Sequence, residues 1–423
     1  MFDKAGFFEK TDALFKKLYP GRNRDAVRAR YSDAIDAFAS LYGETDSLSV
    51  FSVAGRSEIC GNHTDHNNGK VLAASIDLDI IAVAAQTKNG VIRIKSAGFP
   101  EDVVDTGALS PVEAEKGRSS ALIRGVCDGF RRRGHAIGGF SAYTTSDILG
   151  GSGLSSSAAF EDMVGTILNT FYNGGAVDYI ELSQISQYAE NVHFGKPCGL
   201  MDQIACAAGG FVYIDFEDPA APKASRVAFD LAGHGYALCI VNTGGSHANL
   251  TDDYAAVPAE MKAVASFFGK SALRGISEEE LLQNAVSLRK KTGDRAILRA
   301  LHFFHENERV DRLMTALKAG DLSGFLSIIK ESGRSSAELL QNYYSPKAPE
   351  QQGISLACAI ASELLGSDGA WRVHGGGFAG TMQAFVPYAR LAAFRSCMET
   401  VFGKGAVTEL SVRALGAVPV YHG

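Results

Sequence analysis

Hydrophobic residues recur every three or four positions near the N-terminus and alternate with polar residues in the stretches that follow. Residues 6–42 predict two helices with a break at Pro20-Gly21, since proline and glycine interrupt a helical pattern. Residues 71–86 and 91–97 predict strands, and Lys88-Asn89-Gly90 between them predicts a hairpin turn. The N-terminal part of the chain therefore combines helices with a sheet.

The middle of the chain predicts a strand, a loop and a helix in immediate succession. Residues 139–145 alternate like a strand, and apolar residues return at helical spacing after Ser156. The stretch that joins them, residues 149–159, reads L-G-G-S-G-L-S-S-S-A-A. Glycines let the backbone approach an anion, while serine hydroxyls and a helix N-terminus offer hydrogen-bond donors. The pattern predicts a phosphate-binding loop; the alternative is a flexible glycine-serine linker, which the structured flanks disfavour.

A second polar cluster, residues 55–70, follows a strand that we predict over residues 48–54. Its donor and acceptor side chains include Arg56, Asn62, His63 and Asp65. Such closely spaced hydrogen-bonding groups suit a ligand with many hydroxyl groups, such as a sugar. One alternative is a solvated loop with Asx turns. Another is a metal site built on His63, Asp65 and His66, although their spacing differs from that of a helical zinc pair.

The second half of the chain is mostly helical between residues 253 and 365 and then returns to strands. Residues 216–224 form the most turn-like segment of the chain. They predict the boundary between an N-terminal domain, residues 1–218, and a C-terminal domain, residues 219–423. A chain of 423 residues is long enough to form two hydrophobic cores.

Composition excludes several classes of partner. The formal net charge is −6, so we expect no polyanion-binding surface and no nucleic-acid partner. Seven scattered cysteines without a C-x-x-C motif argue against a disulfide framework and a zinc site, and for a reducing compartment. The charged N-terminus and the lack of an apolar run of about 18 residues predict a cytoplasmic protein without a membrane partner.

From Gly151 onward, the glycine- and serine-rich loop resembles the motif P-x-G-x-G-L-S-S-S-A of the GHMP small-molecule kinases, with Leu149 in place of the proline. It has neither the terminal Lys-Ser/Thr of a P-loop nor the spacing of a dinucleotide-binding loop. The resemblance implies that the loop binds the phosphates of ATP. The residues that carry this expectation are Gly151, Ser152, Gly153, Leu154, Ser155, Ser156 and Ser157.

The second cluster resembles the galactokinase signature G-R-x-N-L-I-G-E-H-T-D-Y-N-G-G. The chain departs from that signature at Ser57, Glu58, Asn62, His66 and Asn68. The resemblance implies that Asn62, His63 and Asp65 bind the sugar, with Asn62 near its C6 substituent. Asn62 stands where the signature has a glutamate, so a sugar with a C6 carboxylate is an alternative to galactose.

Residues 198–203, C-G-L-M-D-Q, resemble the galactokinase motif C-G-I-M-D-Q. Composition alone favours a helix-capping role for Asp202. The resemblance implies instead that Asp202 faces the reacting hydroxyl of the sugar, with Gly199 at the substrate. It also implies that Arg56 stabilises the charge on the reacting oxygens and keeps Asp202 ionised.

A helix predicted over residues 179–193 carries Glu190, within the stretch A-E-N-V-H-F-G. Taken alone, Glu190 would be a solvated charge on a helix. The resemblance implies that Glu190 and Ser157 hold Mg²⁺, directly or through water, because this cation prefers oxygen ligands.

Two further features lie in the second half of the chain. Residues 375–380, G-G-G-F-A-G, resemble the galactokinase motif G-G-G-F-G-G and predict a loop that closes over the nucleotide; a hairpin turn is the alternative. Tyr254 lies roughly where galactokinases have a tyrosine that contacts the sugar, and an ordinary core or surface tyrosine is the alternative.

The resemblance to the galactokinase family covers most of the chain. It implies an α/β (α+β) fold of the GHMP kinase type, with two domains, mixed sheets and the active site in the inter-domain cleft. The implied reaction is ATP-dependent phosphorylation of the C1 hydroxyl of a monosaccharide, first of all galactose, with Mg²⁺. The alternatives are a C1 kinase for another sugar, such as a uronic acid, and a sugar sensor without turnover. The intact serine-alanine run at residues 155–159 argues for an enzyme, expected to be a monomer or weak homo-oligomer.

Overall fold

The computed structural model describes residues 2–43, 47–148, 153–245 and 250–423 of the chain. The helices are α1 (Lys4–Leu18), α2 (Arg24–Tyr42), α3 (Ser119–Arg132), α4 (Ser156–Asn173), α5 (Tyr179–Tyr188), α6 (Met201–Ala208), α7 (Thr251–Phe267), α8 (Glu278–Gln283), α9 (Ala285–Thr292), α10 (Asp294–Ala319), α11 (Leu322–Ser335), α12 (Gly353–Leu365) and α13 (Tyr388–Phe402). The strands are β1 (Ser49–Cys60), β2 (Lys70–Gln86), β3 (Val91–Ser96), β4 (Glu101–Asp105), β5 (Phe140–Ser146), β6 (Phe211–Asp215), β7 (Lys223–Val227), β8 (Tyr236–Asn242), β9 (Ala370–His374), β10 (Thr381–Pro387), β11 (Val407–Leu410) and β12 (Val418–His422). This mixture of helices and mixed sheets confirms the predicted fold class.

The chain divides into two units that alternate along the sequence. Unit 1 comprises Met1–Arg56, Ser75–Gly210 and Arg413–Gly423, and unit 2 comprises Ser57–Ala74 and Phe211–Val412. We predicted one domain boundary after residue 218, whereas the division falls after Gly210. In addition, residues 57–74 belong to unit 2 and residues 413–423 belong to unit 1.

Strand pairing explains the two exchanged segments. The first residues of β2 pair with β6, from Lys70 opposite Asp215 to Ala74 opposite Phe211, so this part of β2 belongs to unit 2. The C-terminal strand β12 pairs with β1, with Ser49 opposite His422, so the end of the chain belongs to unit 1. A boundary read from a turn-like segment takes no account of such distant pairing.

In unit 1, the strand order is β12-β1-β2-β5-β3-β4. The predicted hairpin of β2 with β3 is wrong, because β5 lies between them, antiparallel to β2 and parallel to β3. The chain does reverse direction around residues 88–90. However, the strand that pairs with β2 is β5, whose residues Phe140, Ala142 and Thr144 are buried. Burial of a whole strand face outweighs one local turn signal.

The N-terminal helices and those around the phosphate-binding loop of unit 1 follow the sequence predictions closely. The break between α1 and α2 falls at Pro20-Gly21, and α4 begins at Ser156. The apolar residues that follow the serines, including Met163 and Ile167, are buried. α5 ends at Tyr188 and continues as a π-helical turn, Ala189–Phe194, a feature that often accompanies a functional site.

In unit 2, an antiparallel sheet of order β11-β8-β10-β9 packs its buried residues with those of α12 in one core. The long helix α10 shares a second core with α7. The structure confirms the predicted helical region over residues 253–365, whereas α13 was not predicted from the sequence. Residues 375–380 connect β9 to β10. None of the helices in the part of the chain that the structure describes is both long and apolar enough to cross a membrane.

Candidate functional site

In unit 1, Arg56 and Asp202 form a two-pronged ion pair. Arg56 lies in β1, and Asp202 lies in the first turn of α6. The guanidinium donates from Nε to Oδ1 at 2.8 Å and from Nη2 to Oδ2 at 2.9 Å. Its remaining nitrogen, Nη1, donates to the carbonyl oxygen of Gly153. Two parallel hydrogen bonds from a planar guanidinium orient a carboxylate more rigidly than a single hydrogen bond does.

The surroundings of Asp202 keep it ionised. Burial by itself would raise the pKa of this carboxyl, but the Arg56 guanidinium and the Ser155 hydroxyl together hold the pKa of Asp202 below its usual range. Ser155 Oγ donates to Asp202 Oδ2 at 2.5 Å. The Asp202 side chain nevertheless remains 36% exposed, so its carboxylate can accept a proton from a ligand.

The described part of the predicted phosphate-binding loop leads directly into α4. Gly153 has a positive φ of 73°, and Ser155 has a left-handed backbone with φ 59° and ψ 55°. A left-handed serine is uncommon, and it turns the hydroxyl of Ser155 towards Asp202. Among the residues that the structure describes, no side chain caps the start of α4. The first amide groups of α4 are therefore available to an anion.

The remaining residues predicted in this loop have different environments. Leu154 is buried and accepts a hydrogen bond from the Arg56 amide through its carbonyl oxygen, at 3.2 Å. Ser156 is exposed at the start of α4. Gly151 and Ser152 lie outside the described residues. Gly199 is half-buried in the segment that precedes α6.

The two residues predicted to bind metal lie together. Ser157 Oγ donates to Glu190 Oε1 at 3.3 Å, and the Glu190 side chain is almost fully buried. The other carboxylate oxygen, Oε2, accepts a hydrogen bond from Gln203 Nε2 at 3.0 Å. Within the described residues no cluster of three or more His, Cys, Asp or Glu side chains could hold a metal ion. A hydroxyl and a carboxylate are nevertheless the hard oxygen donors that suit Mg²⁺, which usually completes its shell with water and phosphate oxygens.

Two residues beside Glu190 were not predicted from the sequence. Lys196 Nζ lies 2.9 Å from Glu190 Oε1. Glu161 on α4 is buried, accepts a hydrogen bond from Gln203 Nε2 at 3.2 Å, and its Oε1 has no hydrogen-bond partner among the described residues. Burial and the Glu190 carboxylate raise the pKa of Glu161 well above its usual range. Glu161 lies one helical turn after Ser157, so the sequence alone could have indicated that the two side chains lie on the same face of the helix.

In unit 2, protein atoms surround the side chain of Asn62. Its Nδ2 donates to Glu58 Oε1 at 3.0 Å and to the Gly375 carbonyl oxygen at 2.8 Å. Its Oδ1 accepts from Asn342 Nδ2 at 2.7 Å. Both amide protons are therefore used, and one acceptor lone pair of Oδ1 remains. Only 1% of Asn62 is exposed.

His63 and Tyr254 both contact the loop of residues 375–380. His63 Nε2 donates to the Gly376 carbonyl oxygen at 2.9 Å, and burial lowers the pKa of His63 to about 4, so the ring is neutral at pH 7. The Tyr254 hydroxyl donates to the Gly377 carbonyl oxygen at 2.9 Å. The structure thus brings two sequence-predicted motifs of unit 2 together. Asp65 begins a short 3₁₀ turn and is partly exposed.

Two family models match this chain. The galactokinase galactose-binding signature matches residues 36–86, and the GHMP kinases N terminal domain matches residues 121–210. A galactokinase from Glaesserella parasuis serovar 5 (strain SH0165) is 30% identical over 369 residues, which cover 87% of this chain and 92% of that protein. The chain belongs to the galactokinase family. A galactokinase from Streptomyces coelicolor is 29% identical over 91% of this chain and 95% of its own length.

Solved structures share the fold of this galactokinase family member. A galactokinase from Lactococcus lactis, solved in complex with galactose, superposes with a TM-score of 0.78 at 24% identity, over 92% of this chain and 99% of that one. A mevalonate kinase from Methanococcus jannaschii superposes with a TM-score of 0.61 at 13% identity, over 87% of this chain and 99% of that one.

The departure from the galactokinase signature has a structural counterpart. The signature has asparagine at the position of Glu58 and glutamate at the position of Asn62, so this chain exchanges the two residue types. The exchanged side chains are hydrogen-bonded to each other. Glu58 is buried and also accepts from Arg372 Nη2 at 3.0 Å. One carboxylate and one amide are therefore retained in the pair, with their positions reversed.

Proposed function

We propose that this chain transfers the γ-phosphoryl group of ATP to the C1 hydroxyl of galactose. The observation that carries the proposal is the Arg56–Asp202 pair, whose arginine also binds the carbonyl oxygen of Gly153 in the phosphate-binding loop. This arrangement joins a proton acceptor and a fixed positive charge to a phosphate-binding loop. Membership of the galactokinase family supports the same reaction.

Asp202 orients the C1 hydroxyl and accepts its proton. An ionised carboxylate with an exposed edge suits that role, and the hydrogen bonds from Arg56 and Ser155 hold it in place. Arg56 offsets the negative charge that builds up on the attacking oxygen and on the transferring phosphoryl group. Phosphoryl transfer depends mainly on such positioning and charge stabilisation, so no covalent intermediate is needed.

The phosphates of ATP bind to the loop at the start of α4. Free backbone amides at a helix N-terminus and the helix dipole favour an anion there. The residues proposed to contact the nucleotide are Gly151, Ser152, Gly153, Leu154, Ser155, Ser156 and Ser157. Leu154 contributes through its backbone, because its side chain is buried.

Ser157 and Glu190 would hold Mg²⁺, on the basis of their oxygen donors and their separation of 3.3 Å. When bound, this cation neutralises charge on the phosphate oxygens. The protein's own part is to hold the Glu190 carboxylate in place, which the hydrogen bond from Gln203 does.

Unit 2 supplies the residues that recognise the sugar. We assign contacts with sugar hydroxyls to His63 and Asp65, and a contact with the sugar to Tyr254. We also assign Gly199 to substrate binding. Asn62 has one free lone pair on Oδ1, which limits it to accepting a single hydrogen bond from the sugar. Its larger contribution is to hold Glu58 and the Gly375 carbonyl in position.

Coupled turnover assays test the proposed function and its alternatives. Purified protein with ATP and Mg²⁺ is assayed against galactose, N-acetylgalactosamine, galacturonate, glucuronate, glucose and arabinose. We expect galactose to have the highest kcat/KM. A faster reaction with galacturonate would establish a uronic acid kinase, and no turnover of any sugar would favour the sensor.

We further propose that the protein acts in the cytoplasm on small molecules, as a monomer or weak homo-oligomer without nucleic-acid or membrane partners. The net charge of −6 supports the part of this proposal that excludes a nucleic-acid partner. Sedimentation velocity between 1 and 100 μM would test the oligomeric state, since a stable dimer at the lowest concentration contradicts it.

A further inference from the structure

Several protein groups contact the carboxylate of Glu190, among them the Cys198 thiol. The Lys196 ammonium and the Ser157 hydroxyl both approach Oε1, at 2.9 and 3.3 Å, while the Gln203 amide donates to Oε2 at 3.0 Å. The Glu190 side chain is 3% exposed, whereas that of Lys196 is 61% exposed. The positive charge that pairs with the buried Glu190 carboxylate therefore belongs to Lys196, whose side chain extends from the protein surface.

We propose that Lys196 is an internal counter-ion that occupies the metal-binding oxygen of Glu190 and must leave before a divalent cation can bind. This inference rests on the proposed function, which assigns Mg²⁺ to Ser157 and Glu190. The ammonium and the metal ion carry charge of the same sign and compete for the same oxygen, Oε1. Each therefore lowers the affinity of the site for the other.

The geometry makes this exchange feasible without rearranging the fold. Lysine has a flexible stem of four carbon atoms and a strongly hydrated head group. Because the side chain of Lys196 is mostly exposed, its ammonium can move into solvent while its backbone stays in place. The Gln203 amide binds the opposite oxygen of Glu190, so the carboxylate keeps its orientation after the lysine has left.

The exchange makes metal binding depend on the nucleotide. A free divalent cation must displace the Lys196 ammonium, and nothing then offsets the loss of the Lys196–Glu190 ion pair. A metal–nucleotide complex also brings negatively charged phosphates, which offset that loss. The protein alone should therefore bind free divalent cations weakly. Replacing Lys196 by an uncharged residue of similar length should remove this competition.

Binding of Mn²⁺ to the full-length protein without nucleotide tests the inference. The free Mn²⁺ is followed by its EPR signal in titrations of the wild type, Lys196→Met, Lys196→Arg and Lys223→Met. We expect Lys196→Met to lower the Kd for Mn²⁺ about tenfold, from the loss of one repelling charge in a partly buried site. Lys196→Arg keeps the charge and should bind like the wild type. Lys223 forms an exposed ion pair with Glu217 at 3.5 Å, so Lys223→Met should also leave the Kd unchanged.

A double variant shows where the cation binds. Lys196→Met combined with Glu190→Gln should lose the gain in Mn²⁺ affinity, because the carboxylate that binds the cation has become an amide. An unchanged Kd in Lys196→Met, or a gain that persists in the double variant, would overturn the inference. Neither result depends on turnover, so galactose phosphorylation by the wild type remains a separate test of the proposed function.

Discussion

The side-chain amide of Asn62 donates a hydrogen bond of 3.0 Å to the carboxylate of Glu58, four residues earlier in the chain. Both side chains are buried, and Arg372 supplies the positive charge that faces Glu58. The galactokinase signature has the same two residue types in the opposite order. Because one carboxylate and one amide match each other as a pair, we interpret the two substitutions as coupled.

The coupling predicts a non-additive mutant cycle. Glu58→Asn should destabilise the protein by about 3 kcal/mol, because it leaves the buried Arg372 without its carboxylate. Asn62→Glu places two carboxylates together and should cost about 2 kcal/mol. The double variant should recover at least about 1 kcal/mol of the summed loss, as measured by urea unfolding. Strictly additive effects would show that the exchange is not coupled.

Asp202 should be essential for turnover and dispensable for nucleotide binding. Asp202→Ala removes the proton acceptor while the amides of the phosphate-binding loop remain, so we expect kcat to fall about 10³-fold or more. The Kd for ATP should change less than about threefold, which calorimetry can measure. Asp33→Ala, at an exposed position of α2, is the control. Loss of ATP binding in a folded Asp202→Ala variant would contradict the assigned role.

Glu306 should make the protein sensitive to acid. Its carboxylate accepts hydrogen bonds from Arg309 Nε at 2.7 Å, Ser332 Oγ at 2.6 Å and the Gly61 amide at 3.0 Å. Although burial alone would raise the pKa of Glu306, the Arg309 guanidinium and these hydrogen bonds hold it well below the usual range. A lowered folded-state pKa stabilises the protein above the unfolded-state value near 4.3, and this stabilisation disappears as the pH falls towards the folded-state pKa.

Glu306→Gln therefore should lose about 3 to 5 kcal/mol of stability at pH 7, since it leaves Arg309 buried without its charged partner. Its melting temperature should also vary less between pH 3 and pH 6 than that of the wild type. Glu308→Gln, an exposed neighbour on the same helix, should behave like the wild type. A similar pH dependence in Glu306→Gln and the wild type would assign the acid sensitivity to other groups.

Gly376 should be required for sugar binding through its contact with Tyr254. A Cβ atom at Gly376 would lie 2.5 Å from Tyr254 Cε1, so Gly376→Ala must displace the tyrosine ring. We expect the KM for galactose to rise about tenfold, the equivalent of one hydrogen bond to the sugar, with little change in the KM for ATP. In Gly107→Ala the added methyl group meets only the end of the Asp105 side chain at 3.2 Å, so this control should bind galactose normally. An equal rise in both KM values would indicate a general disturbance.

The sequence predicted much of the fold near the chemical motifs because these motifs are local. The break at Pro20-Gly21 and the start of α4 at Ser156 both appear where the pattern placed them. Proline and glycine act on their own backbone, and a helix start is set by residues within one turn. The loop that carries Asn62, His63 and Asp65 was recognised for the same reason.

The tertiary structure decided the relationships between distant segments. The insertion of β5 between β2 and β3 depends on burial, and the hydrogen bond from Lys196 to Glu190 depends on where a π-helical turn directs the chain. Two of the hydrogen bonds of the Asn62 amide likewise need Gly375 and Asn342, which lie hundreds of residues away in the chain. The sequence by itself determined the family and predicted which groups react. Only the folded chain determined which partners each group meets, because such contacts bring together residues whose separation in the sequence carries no local signal.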